Sequence, residues 1–247
     1  MSAVLEAKGL SRRFGGLLAV ADLSLALRVG ELHAVIGPNG AGKSTLVNLL
    51  AGELPPTEGT IWLGGADVTG LSVARRAHAG IGRTFQRTNL MLDMTVLENV
   101  RLAAQAALVP KRALLRRADR ALAPIDAARG ALRRVGLAAT GEARTLSHGQ
   151  LRQLEIAVAL AGQPRVLLLD EPLAGSGAED AAPLVALMRD LAREYAVLLV
   201  EHDMDVVFAV ADIITVMVDG CVLAHGSPGD IRASAVVRDA YLGHSVA

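Results

Sequence analysis

Residues 31–54 read ELHAVIGPNGAGKSTLVNLLAGEL, and the fold follows from how this stretch divides. Leu32 to Ile36 form a short apolar run of the kind that fits a buried parallel strand. Leu46, Leu49 and Leu50 then recur at helical spacing, so the second half is a helix with one apolar face. Between them "GPNGAGKST" matches G-x-x-x-x-G-K-[ST], with Gly37, Gly42, Lys43 and Ser44 at the fixed positions. Glycines at this spacing let successive backbone N–H groups turn inward around a phosphate. The helix that follows adds its positive N-terminal end. Lys43 is placed to reach the outer phosphates, and the Ser44 hydroxyl is a Mg²⁺ ligand candidate. The candidate nucleotide-binding set is therefore the whole turn: Gly37, Pro38, Asn39, Gly40, Ala41, Gly42, Lys43, Ser44 and Thr45.

A phosphate-bound Mg²⁺ needs a carboxylate at the end of a neighbouring buried strand. "VLLLDE" supplies one: Asp170 ends the apolar run and Glu171 follows it. Asp170 is the candidate metal acid, and Glu171 the candidate base that polarises an attacking water. "AVLLVEH", ending at His202, is a second strand of the same type, and "AAPLVALMRDLAREY" between the two reads as a helix. "DIITVMVDGCVLAHG" carries Asp219-Gly220 between β-rich runs, a hairpin signal. The first thirty residues alternate in "VLEAKGL", "FGGLLAV" and "ADLSLALRVGE", which predicts short antiparallel strands. From about Asn89 to Gly162 the pattern is helical, with Thr95 and Glu98 spaced as a capping box.

The predicted architecture is an α/β P-loop nucleotide-binding fold. It has a mainly parallel core sheet, an antiparallel β subdomain and an inserted helical subdomain. The boundaries expected are one domain over 1–247, with a core lobe of 1–88 and 163–247 and a helical lobe of 89–162. At 247 residues and 52% hydrophobic the chain can build a large core. The scarcity of aromatics, 2%, leaves that core to aliphatic packing. Lys+Arg and Asp+Glu are both 25, so charge balance gives no case for nucleic acid. The basic run "KRALLRRADR" reads as a solvated helix face, because no aromatics interleave it. The N-terminal segment has no signal-peptide pattern and no apolar run reaches membrane-spanning length. The single Cys221 excludes an internal disulfide and suits a reducing compartment.

"LSHGQLRQLEIA" begins at Leu146. Ser147 and Gln150 have capping-box spacing, and the same geometry aims a hydroxyl and free N–H groups at an anion. The order along the chain is phosphate loop, Gln86, "LSHGQ", "LLLDE", His202. This order resembles the ATP-binding subunits of ABC transporters, over essentially the whole chain. The resemblance implies that Ser147, Gly149 and Gln150 cap ATP held by a second subunit. It implies that Phe14 stacks on adenine, that Gln86 joins the metal and the attacking water, and that His202 holds the γ-phosphate. The implied partners are a second ATP-binding subunit (a homodimer or a sister ATPase), transmembrane permease subunits, and indirectly a periplasmic solute-binding protein. No nucleic acid is implied, and the expected place is the cytoplasmic face of the inner membrane. Gln86 with Leu90, Met91 and Leu92 is the candidate surface for a permease loop.

"GIGRTFQRTNLMLDMTVLENVRLAAQ", "LSHGQLRQLEIAVALA" and "HGSPGDIRASAVVRDAYLG" look like the ATPases of branched-chain amino acid and urea/amide importers. Two departures stand out: His148 occupies the third position of LSGGQ, and Gly177 stands where many relatives carry an aspartate. The alternatives weighed are an envelope-lipid exporter ATPase and a soluble ABC-type ATPase on DNA or ribosomes. The latter usually has two ATPase halves or a long coiled-coil insertion. A GTPase lacks support because no N-K-x-D motif occurs, and a small-molecule kinase would not need "LSHGQ".

Overall fold

The computed structural model describes residues 3–85, 89–108, 122–175 and 177–242. Gln86 and the basic run 111–120 lie outside them. Two sheets organise the chain. β1 (Leu5–Phe14), β2 (Leu17–Leu27), β4 (Glu58–Leu63) and β5 (Ala66–Asp67) form an antiparallel sheet in the order β2-β1-β4-β5. β3 (Leu32–Ile36), β6 (Ile81–Arg83), β7 (Val166–Asp170), β8 (Ala196–Val200), β9 (Ile213–Val218) and β10 (Cys221–Gly226) form the core sheet in the order β10-β9-β3-β8-β7-β6. Every pairing in it is parallel except β10 with β9.

The predicted short strands at the N-terminus merge into two long ones. "FGGLLAV" is not a strand of its own: Gly15-Gly16 is the turn between β1 and β2, with Gly15 at φ 57°. The hairpin expected at Asp219-Gly220 is present, and both residues take positive φ (48° and 80°), as a tight β9–β10 turn demands. Cys221 lies exposed on the edge strand β10.

Alternation along the buried strands divides the core. Val166 and Leu168 of β7, with Ala196, Leu198 and Val200 of β8, face α1 (Lys43–Ala51) and the antiparallel sheet. Leu167 and Leu169, with Val197 and Leu199, face α5 (His148–Ala161) and α6 (Ala178–Ala192). This is the two-residue period of a strand covered on both sides. α1 inserts Leu46, Val47, Leu49 and Leu50, all fully buried, between the two sheets. Burying each such aliphatic side chain contributes about 1.5–3 kcal/mol, which anchors the helix that follows the phosphate loop. The C-terminus of α1 is held by Arg76 of α2 (Val73–Ala79). Its guanidinium is 1% exposed and donates to the carbonyls of Leu49 (2.6 Å), Leu50 (2.9 Å), Thr69 (2.7 Å) and Leu71 (3.2 Å).

α3 (Val96–Leu108), α4 (Leu122–Arg134) and α5 pack on one another through Val96, Val100, Ala104, Ala128, Leu132 and Leu154. The capping box predicted at Thr95 is half made. Thr95 Oγ1 accepts from Glu98 N (3.1 Å), while the Glu98 carboxylate is engaged by Arg101 at 2.7 and 2.8 Å. Salt-bridging Arg101 satisfies a charge, a stronger claim than one helix-end N–H. The remaining helices are α7 (Met204–Val210), α8 (Pro228–Ala233) and α9 (Ala235–Leu242). Among the described residues no helix is long and apolar enough to cross a membrane.

Candidate nucleotide site

The C-terminal ends of β3, β7 and β8 lie side by side, with Asp170 paired in register with Val200 and Val35 with the same Val200. In open parallel sheets this edge is where ligands sit. β3 runs into the phosphate loop. Gly37 takes φ 155° and Gly42 φ 98°. A Cβ on Gly37 would come within 2.1 Å of Met217 O, and one on Gly42 within 2.3 Å of Ala19 O. The loop is thus gripped between the backbones of β9 and β2. Lys43 opens α1, is 8% exposed and donates from Nζ to Gly37 O (2.6 Å) and Pro38 O (2.9 Å). Burial lowers its pKa, and the nearby Glu171 and Asp170 pull it back up.

A cleft of about 430 Å³ opens in front of this loop. Asn39 to Thr45 form its floor, Glu171 one side, and Phe14, Leu17, Asp219 and Gly220 others. Phe14 is 42% exposed, so it is no core aromatic. Arg12 stacks on its ring at 4.6 Å. The flat, apolar, half-open wall suits a base stacked over a bound polyphosphate. Leu17 and the Asp219-Gly220 turn complete this wall and escaped the sequence reading, since neither carries a chemical signature.

Asp170 is 2% exposed. Its Oδ2 pairs with Arg83 at 3.2 Å, and its N–H donates to Thr84 Oγ1 at 3.2 Å. Oδ1 is buried and, among the described residues, has no hydrogen-bond partner. A carboxylate oxygen left bare beside a phosphate loop fits a hydrated Mg²⁺, and Ser44 in the cleft lining offers a hydroxyl ligand. Burial pushes the Asp170 carboxyl up; the Arg83 guanidinium works against that. Glu171 follows with φ 48° and its N–H bonded to Val200 O at 2.9 Å. A non-glycine residue in the left-handed region costs energy that the surrounding structure must overcome, and such residues cluster at working sites. His202 lies two residues past the end of β8, its side chain 65% exposed and Nδ1 3.7 Å from Glu201 Oε2.

The Ser147 turn is built as predicted. Ser147 Oγ accepts from Gln150 N (3.2 Å), and Gln150 Oε1 accepts from Ser147 N (2.9 Å). Among the described residues, none from this turn lines the nucleotide cleft. His148 packs instead against the loop after Glu171: a Cβ on Gly175 would lie 3.5 Å from its Cε1. Arg152, one turn along α5, donates to Phe85 O at 3.2 Å and pairs with Glu155 at 2.8 Å. That bond ties the Ser147 helix to the segment leading into Gln86. Sequence reading missed it, since Arg152 looks like any helical charge.

A second cavity, about 270 Å³, runs between α2, α3, α5 and β6. Ala77, Ile81, Phe85, Ala103, Ala107 and Val158 make it apolar, with Glu53 and Arg83 on its floor. Met91 and Leu92, in the segment before α3, are 51% and 42% exposed.

The loop, the paired acids and the parallel-sheet edge define a P-loop nucleotide-binding protein. The ABC transporter family pattern matches residues 20–174, and a pattern described as branched-chain amino acid ATP-binding cassette transporter matches residues 221–247. The chain belongs to the ABC transporter family, as one of its ATP-binding cassettes. It is similar to the high-affinity branched-chain amino acid transport ATP-binding protein LivG of Salmonella typhimurium, 41% identical over 98% of both chains. The ADP conformation of the cassette MJ1267 superposes with a TM-score of 0.84 at 29% identity, covering 98% of this chain and all of that one. A dimeric post-hydrolysis structure of the cassette MJ0796 with ADP and Pi superposes at 0.76 and 26% identity, covering 91% and 98%.

Proposed function

We propose that the chain binds and hydrolyses ATP to energise an importer for branched-chain amino acids or a related small polar solute. The observation that carries the hydrolytic reading is that Lys43, Asp170, Glu171 and His202 all stand at or just past the C-terminal ends of three neighbouring strands, β3, β7 and β8. Phe14 stacks on the base, the loop amides wrap the β- and γ-phosphates, and Lys43 exchanges its carbonyl contacts for phosphate oxygens. Ser44 and Asp170 would hold Mg²⁺, whose charge would offset that of the phosphates. Gln86 lies outside the described residues and keeps its proposed place beside the metal and the water. Glu171 takes the proton of the attacking water, and His202 meets the γ-phosphate from the β8 end.

Ser147, Gly149 and Gln150 serve the nucleotide of a second subunit. The cleft of their own chain has no contribution from their turn, and MJ0796 forms a dimer. The chain reads as a core lobe of 1–88 and 163–247 with a helical lobe of 89–162. The surface of Gln86, Leu90, Met91 and Leu92, with the apolar groove between α2, α3 and α5, takes a permease segment. A periplasmic binding protein would deliver solute to that permease, placing this chain on the cytoplasmic face of the inner membrane.

Glu171→Gln tests the chemistry. Removing the base while keeping size and hydrogen bonding lowers turnover about 10²–10⁴-fold and leaves ATP binding intact. Hydrolysis within twofold of the unsubstituted protein would sink the assignment.

A further inference from the structure

Glu201 is an ionisable group that the mechanism above does not use. It is the first residue past β8 and is 1% exposed. One carboxylate oxygen accepts from Leu173 N at 2.9 Å, and the other from His202 N at 3.2 Å. The same second oxygen lies 3.7 Å from His202 Nδ1. Burying a carboxylate is costly unless its oxygens are met by donors. Here the donors are backbone groups of two different loops: Leu173 is two residues past Glu171, and His202 is the residue facing the γ-phosphate. Glu171 itself is tied to the same strand end through its N–H on Val200 O. The left-handed φ of Glu171 therefore has two fasteners, one before Glu201 in the chain and one through its side chain.

We infer that Glu201 is a positioning residue, whose carboxylate locks the Glu171 loop and the His202 loop to each other in the geometry that hydrolysis needs. An apolar side chain could fill this volume, but it could not accept both N–H groups. A neutral amide could accept one and would present N–H to the other. Burial pushes the Glu201 carboxyl up, and the two backbone donors pull it down. The ion thus rests on the very bonds that join the loops.

The inference rests on the hydrolysis reading, so Glu171→Gln runs beside it. Glu201→Gln keeps the size and loses one acceptor. Glu201→Asp keeps the charge but shortens the reach, and serves if the first variant fails to fold. In each, kcat falls about 10–100-fold, as small misplacements of catalytic groups do, while ATP affinity measured by calorimetry stays within twofold. Hydrogen exchange on the nucleotide-free protein gives a readout independent of turnover. The amides of Leu173 and His202 exchange faster in the variants, and those of α1 do not. Unchanged kcat, or ATP affinity falling in step with kcat, overturns the inference. If Glu171→Gln alone is slow, the hydrolysis reading stands without Glu201. If neither variant is slow, both readings fall.

Discussion

Replacing His33 with Gln should remove most of one acid-sensitive limb of stability. His33 sits in β3, 1% exposed. Its Nε2 meets Thr215 Oγ1 at 2.8 Å, and Thr215 meets His225 Nδ1 at 2.9 Å. Burial first, and then the nearby His225, lower the His33 pKa from 6.5 to about 4. Arg28 adds to the lowering, and the Ala26 backbone opposes it. In the unfolded chain the imidazole takes its proton near pH 6.5; in the folded chain it holds off until about pH 4. Between those values the unfolded state binds more protons, so stability rises with pH. The contribution is complete above pH 6.5 and is lost as pH falls toward 4. Each pKa step of one is worth about 1.4 kcal/mol, which sets a ceiling of about 3 kcal/mol. At pH 5 the expected loss is about 2 kcal/mol. Gln at this position can still reach Thr215 and does not titrate. Urea unfolding of both proteins at pH 7.5, 6 and 5 isolates the term, because the other titrating groups are common to both. The wild type should lose about 2 kcal/mol more than His33→Gln between the extremes. A gap between the two proteins that stays constant with pH would show that His33 charges freely in the fold and would refute the reasoning.

Arg76→Leu strands four backbone carbonyls, two at the end of α1 and two in the segment before α2, and should cost about 3–5 kcal/mol; a urea-measured loss below 1 kcal/mol would mean that water replaces the guanidinium. Mixing a Lys43→Ala chain with a Ser147→Arg chain, each inactive alone, should restore part of the ATPase activity, since one site of the mixed dimer carries both defects and the other neither. No recovery in a dimer verified by light scattering would argue that Ser147 works in its own chain.

The stretch 31–54 made the strand, loop and helix legible because each step has a strong local signature: an apolar run, obligatory glycines, and a leucine face. Asp170 and Glu171 were legible for the same reason, standing out against four apolar neighbours. The merging of the first strands was not, because Gly15-Gly16 reads equally well as a turn or as a strand irregularity. The half-made capping box at Thr95 was hidden by a competition with Arg101 that depends on side-chain reach. Glu201, Arg83 and Arg152 act through contacts spanning 28, 87 and 67 residues of chain, and no local window holds such information.

The grip on Gly37 and Gly42 from Met217 O and Ala19 O has a consequence for how nucleotide comes and goes. Two of the loop's glycines make room for the protein's own backbone, so the loop's curvature is set when the sheets assemble. It is a finished mould before any phosphate arrives, and ordering it subtracts little from binding. The mould has no way to relax outward, since β9 and β2 stand behind it. Release must therefore come from the open side of the cleft, where Phe14 is 42% and Leu17 67% exposed. Exchange would then turn on movements at that open side, while the phosphate loop stays as it was cast.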